Sequence, residues 1–142
     1  MAGGNVLPQV KPGWQAAVAD VFLDRLGAPF RWGSNDCCLF AADCIKAATG
    51  VDVAEDVRGK YCDTITAYRL IDSFGGLESI AAARCGSEIN PGQAVFGDIG
   101  LVENHGRPCL SVFGGQFFHA PAEHGLTIIP IEACTKAWRL TD

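Results

Sequence analysis

The residues best suited to chemistry in this sequence are two adjacent cysteines, Cys37 and Cys38, at the start of an apolar helical run. They follow an aromatic–Gly turn with Phe30 and Trp32, and Asp36 directly precedes them. A thiol on the first turn of a helix faces unpaired backbone N–H groups and the positive end of the helix dipole, which favour the thiolate. Because a thiolate is the nucleophile of cysteine hydrolases, Cys37 is a candidate nucleophile. The alternative is that both cysteines are small core residues.

The elements that position these cysteines begin with helices. Asn35 or Asp36 can cap the helix that starts at Cys37, and Asp63 can cap the next one. Residues 1–11 look like an irregular N-terminal arm. The apolar spacing predicts four helices, over residues 12–26, 37–49, 64–73 and about 77–84.

From Ala94 onward the pattern changes to short β-prone runs separated by Gly, Pro and Asn. The runs cover residues 99–102, 109–113, 116–118, 126–129 and 137–140. Gly114-Gly115, between two of them, predicts a two-residue hairpin turn. Helices followed by an antiparallel sheet predict one α+β domain over residues 12–142.

Composition limits the class of function. The chain has 142 residues, of which 49% are hydrophobic and 19% are charged, which is enough for one domain with a single core. The net charge is −5 and Lys and Arg form no cluster, so we do not expect nucleic acid as a partner. The sequence has no apolar run of membrane-spanning length and its N-terminus does not resemble a signal peptide, so we expect neither feature.

The seven cysteines are an odd number, and none has CxxC spacing. This pattern is not typical of a zinc ribbon or of a secreted disulfide framework. We therefore expect reduced thiols, no bound metal and no cofactor.

The segment Phe30-x-Trp32-Gly33…Asp36-Cys37 resembles the nucleophile motif of the NlpC/P60 cysteine peptidases, which cleave the peptide stems of bacterial cell wall. The similarity continues through residues 92–99, 109–113 and 117–120. It implies a papain-like α+β fold, with N-terminal helices packed on a C-terminal antiparallel sheet and Cys37 as nucleophile. It also implies a groove beside Cys37, lined by Phe30, Trp32, Cys109 and Phe118.

The sequence departs from that family at the general base. The resemblance places Cys109 at this position, or Arg107 when the alignment runs ungapped back from His119, and neither can act as the imidazole of a Cys–His pair. His119 falls at the position that orients the base. Phe30 stands where active members usually carry a tyrosine.

Two histidines offer alternatives for the missing base. His105 can reach Cys37 if its loop is flexible, and His119 can approach it if the hairpin is shifted; equally, His105 can be a solvated surface residue and His119 a half-buried one. His124 is interpreted as a turn residue. If the fold match holds, Cys109 and Cys37 can form a disulfide or bind a soft metal, or can be core residues.

The chain also resembles small NlpC/P60-like proteins of phage and prophage tails, through Arg58-Gly59-Lys60-Tyr61 and Ala137-Trp138-Arg139. This implies a phage tail-tip protein, made in the host cytoplasm and located in the virion. The missing base favours a catalytically degenerate structural or docking component, with other tail proteins as partners. The alternative is an active cysteine peptidase acting on peptidoglycan during delivery of the phage genome.

Overall fold

The computed structural model describes residues 9–140, and it has an α+β fold. The helices are α1 (Trp14–Arg25), α2 (Cys37–Thr49), α3 (Thr64–Ser73) and α4 (Leu77–Arg84). The strands are β1 (Glu88–Ile89), β2 (Ile99–Asn104), β3 (Arg107–Phe113), β4 (Phe118–Ala122), β5 (Gly125–Ile129) and β6 (Cys134–Trp138). The predicted α+β class is confirmed. Of the predicted N-terminal arm, residues 1–8 lie outside the described residues, as do the last two of the chain.

Local signals explain where the helices begin and end. Asp36 caps α2 by accepting a hydrogen bond from the Leu39 N–H, and Gly50 ends it with a left-handed backbone. Asp63 caps α3 through a capping box with Thr66. The predicted arm ends at Lys11, and the Lys11 N–H donates a hydrogen bond to the Ala48 carbonyl of α2 at 2.8 Å. This bond holds the end of the arm against α2.

The six strands form one antiparallel sheet in the order β1-β6-β2-β3-β4-β5. The hairpin between β3 and β4 is present, but its turn lies one residue later than Gly114-Gly115. The Gly114 N–H donates to the Phe117 carbonyl at 2.8 Å, so Gly115 and Gln116 form the turn. Strand β4 therefore starts at Phe118 instead of residue 116.

Two apolar cores lie on opposite faces of this sheet. The larger one packs α2 against β3 and includes Cys37, Phe40 and Val112. The smaller one covers the other face and includes Phe113 and Phe118. Cys37, at the start of α2, therefore lies between α2 and the sheet.

Within residues 9–140, no helix combines the length and the apolar character needed to cross a membrane.

Candidate functional site

The start of α2 is fixed by the buried carboxylate of Asp36. This carboxylate accepts hydrogen bonds from the N–H groups of Leu39 and Gly33, each at 2.9 Å, and from the Tyr61 hydroxyl at 2.6 Å. Burial raises the pKa of Asp36, while the three donors favour its charged form. Cys37, the next residue, is consequently held at the first position of the helix.

Tyr61 is a site residue to which the sequence analysis assigned no role. Its segment can reach α2 because residue 33 is glycine: a Cβ at Gly33 would lie 2.5 Å from the Tyr61 carbonyl oxygen. A tyrosine hydroxyl thus supports the helix start. Because Tyr61 lies far from the Cys37 motif in sequence, only its aromatic character could have suggested this role.

The loop that leads into α2 is held by Asn35, which is buried beside Asp36. Its amide nitrogen donates to the carbonyls of Ala28 and Pro29 at 3.2 and 3.0 Å. Its amide oxygen accepts from the Arg25 guanidinium at 3.3 Å. These bonds tie the end of α1 to the turn before Cys37.

Three thiols meet at the start of α2. The pKa of Cys37 is well below its usual range, chiefly because the thiol of Cys109 and then that of Cys38 hydrogen-bond to its sulfur, whereas burial opposes this effect. The backbone N–H groups of Leu110 and Cys38 add to the stabilisation of the thiolate. The pKa values of Cys38 and Cys109 are raised by their hydrogen bonds to Cys37 and by burial. The Cys109 thiol also donates to the Leu110 carbonyl at 3.2 Å. The arrangement therefore favours ionisation at Cys37 over ionisation at Cys38 or Cys109.

Cys37 and Cys109 open onto a cleft of about 770 Å³. Cys37 is 7% exposed and lines this cleft. The cleft is lined by an aromatic wall and by a rim formed at two hairpin turns. The wall contains Phe30, Trp32 and Tyr68, and the rim contains His105, Arg107, Glu123 and His124.

The aromatic wall is ordered by edge-to-face contacts. The rings of Phe30 and Trp32 are perpendicular with centroids 4.7 Å apart, and Trp32 meets Tyr68 at 5.8 Å. The Trp32 indole N–H donates to the Thr64 hydroxyl at 3.0 Å, which fixes the ring against the start of α3. The wall is therefore preorganised to receive an apolar or peptide group.

Comparison with known protein families identifies residues 9–140 with a family described as a domain of unknown function, DUF6950. The chain belongs to the DUF6950 family. No curated protein matches the chain.

In this DUF6950 chain the predicted groove residues divide into two sets. Phe30, Trp32 and Cys109 line the cleft together with Cys37. Phe118 does not, because it is fully buried in the core on the other face of the sheet. The expectation that Phe118 lines the groove is wrong, and the reason is strand alternation: its neighbour His119 faces the helices, so Phe118 faces away.

His119 lies on the helix face but apart from the thiol cluster. It pairs with Val112 across the sheet and packs edge-on against Phe22, with ring centroids 5.1 Å apart. A Cβ at Gly114 would lie 2.6 Å from its Nε2 atom, so the ring fills the space over that glycine. Burial lowers the pKa of His119. The structure therefore does not bring His119 to Cys37.

His105 and His124 are at the rim of the cleft. His105 is in the exposed turn between β2 and β3, with a left-handed backbone (φ 53°), and Gly106 follows it with φ 75°. His124 is in the exposed turn between β4 and β5. The main influences on the Cys37 thiol are other thiols and backbone amides, and none of them is an imidazole.

The Gly97-Asp98 segment has a structural role. The buried Asp98 carboxylate accepts hydrogen bonds from the Leu140 and Val95 N–H groups and from Arg139 at 2.7 Å. It joins the entry of β2 to the end of β6.

Across residues 9–140, no group of three or more His, Cys, Asp and Glu side chains is arranged to hold a metal ion.

Proposed function

We propose that this DUF6950 chain is an NlpC/P60-like protein of a phage tail tip, with a papain-like fold, in which the cleft docks a peptide segment of a neighbouring tail protein and does not cleave it. The protein would be made in the host cytoplasm and reside in the virion. The observation that carries the proposal is the neighbour of Cys37: a thiol, Cys109, stands where the resemblance requires an imidazole.

The exchange of imidazole for thiol removes the group that would accept and return protons. A general base contributes about 10²–10⁴ in rate, and the raised pKa of Cys109 makes it a hydrogen-bond donor at neutral pH instead of a base. A polarised thiolate alone does not supply the proton that the leaving amine needs. Peptide cleavage at Cys37 would therefore be slow.

The cleft itself is suited to binding. Its aromatic wall offers apolar surface of the kind enriched at interface cores. Its rim carries both signs of charge, with Arg107 at the start of β3 and Glu123 in the turn between β4 and β5. A segment with one apolar side chain flanked by polar residues would match this distribution.

The test is hydrolysis of purified, dye-labelled sacculi by the full chain, with Cys37→Ser as the matched variant. We expect dye release at background for both proteins. Turnover by the wild-type chain that disappears in Cys37→Ser would overturn the proposal and establish a cysteine peptidase.

The second candidate function is that peptidase, with peptidoglycan stem peptides as substrate. Two observations favour it: the pKa of Cys37 is lowered, and both His105 and His124 line the same cleft. If turnover is found, His105→Ala and His124→Ala will identify the base. His119→Ala serves as the control, because that ring packs on Phe22 away from the cleft.

A further inference from the structure

The thiols of this chain differ sharply in chemical character. Burial raises the pKa of Cys85 to about 12 and that of Cys134 to about 11, so both stay protonated at neutral pH. Cys62 is exposed, on the segment before α3. Cys37 alone of these four lies at the first position of a helix, beside another thiol, in a cleft that small molecules can enter.

We propose that Cys37 is a peroxide-reactive residue and that Cys109 resolves its oxidised form as an intramolecular disulfide. This reactivity requires neither the docking role nor the peptidase role of the cleft. It rests on the placement of the two sulfurs: both line the cleft, and Cys109 packs on the core cluster that contains Cys37.

The first step is attack of the Cys37 thiolate on one oxygen of a hydroperoxide, ROOH. An S–O bond forms, the O–O bond breaks, and the leaving alkoxide takes a proton to give ROH, so that Cys37 becomes a sulfenic acid. The N–H groups of Cys38 and Leu110 hold the thiolate for this attack. Two electrons pass from the sulfur to the peroxide.

The second step is resolution by Cys109. Its sulfur attacks the Cys37 sulfur, an S–S bond forms, the S–O bond breaks, and the hydroxide leaves as water with the Cys109 proton. The products are the Cys37–Cys109 disulfide and water. Because Cys109 is in β3 and Cys37 is in α2, the disulfide would join β3 to α2.

Cys38 is not suited to the resolving role, although it is adjacent in sequence. Cα atoms of neighbouring residues are about 3.8 Å apart, below the range of about 4.4–6.8 Å that disulfides usually span. Cys38 also lines a separate apolar cavity of about 70 Å³ and not the cleft. A peroxide that enters the cleft can therefore reach Cys37 and Cys109 but not Cys38 through this opening.

The experiment treats the reduced full chain with a slight excess of hydrogen peroxide, blocks remaining thiols, and maps the cysteines by peptide mass spectrometry. We expect a Cys37–Cys109 linked peptide, and loss of free Cys37 about tenfold faster than loss of free Cys62. Cys62→Ser is the control variant and should form the same linked peptide.

In Cys109→Ser we expect the Cys37 sulfenic acid to persist and to be captured by dimedone. The wild-type mapping needs no variant, so it decides the proposal even if Cys109→Ser fails to fold. Oxidation of Cys62 before Cys37, a Cys37–Cys38 link, or unmodified Cys37 would each overturn the proposal.

Discussion

At the scale of single residues, the carboxylate of Asp36 determines where Cys37 stands, because three donors converge on it. Tyr61→Phe removes one donor and leaves the ring in place. We expect it to lower the free energy of unfolding by about 1–3 kcal/mol, measured by urea denaturation. The matched control is Tyr68→Phe, which keeps the ring contact with Trp32 and should change stability little. Equal losses in the two variants would contradict the role of the Tyr61 hydroxyl.

The thiol of Cys109 is the largest influence on the ionisation of Cys37. Cys109→Ala removes its hydrogen bond, so the pKa of Cys37 should rise. The rate of Cys37 alkylation by iodoacetamide, followed against pH, should then reach half its maximum at a higher pH than in the wild type. Cys134→Ala is the control, because that thiol donates to the Lys136 carbonyl on β6 and should leave the profile unchanged. An unshifted profile in Cys109→Ala would show that backbone amides alone hold the thiolate.

At the scale of elements, the helices were the most predictable part of the fold. The start of α2 at Cys37 and that of α3 at residue 64 followed from local caps, Asp36 and Asp63, whose hydrogen bonds span three residues. The sequence did not predict strand β1, which has only two residues, one of them the exposed Glu88. It is a strand because it pairs with β6, and because β6 is distant in sequence, this pairing leaves no local pattern.

The candidate site was likewise predictable only where it depends on local sequence. The placement of Cys37 depends on a local cap and could be anticipated, whereas the face on which Phe118 lies depends on the register of β4. Phe118 pairs with Phe113, and because successive residues of a strand point to opposite faces, Phe118 and its neighbour His119 cannot both lie on the helix side of the sheet. The contribution of Tyr61 depends on a tertiary contact with Gly33, which no local spacing reveals.

Charged side chains join the elements that surround the site. Asp43 on α2 binds Arg25 of α1 and Arg58 of the following loop, each at 2.6 Å, with 19% of its side chain exposed. Asp43→Asn should lower the free energy of unfolding by about 1–2 kcal/mol, since it weakens two charge-assisted bonds that are only partly screened. Asp24→Asn is the control, because its carboxylate is 74% exposed and its pair with Arg25 at 3.2 Å should contribute little. A loss in Asp24→Asn as large as that in Asp43→Asn would contradict this assignment.

At the scale of the whole molecule, the cleft is formed by parts that no single element provides. The turn before α2 supplies Phe30 and Trp32, α3 supplies Tyr68, and two hairpin turns supply the rim. Because these parts come from most of the chain, the cleft exists only in the folded domain. A partner that fills it would therefore bind the intact fold and not an isolated segment.

The docking proposal makes a prediction about assembled particles. A specific tail interface should bury on the order of 1,200–2,000 Å² in total, with aromatic residues at its centre. Trp32→Ala removes the ring that contacts Phe30 and Tyr68, and should reduce the amount of this protein in purified virions, quantified by mass spectrometry against a major tail protein. Trp138→Phe is the control: Trp138 is 2% exposed in the core, away from the cleft, so this variant should be incorporated normally if circular dichroism shows that it is folded. Virions that contain none of the wild-type chain would overturn the tail-component proposal, and normal incorporation of a folded Trp32→Ala variant would remove the cleft as the docking surface.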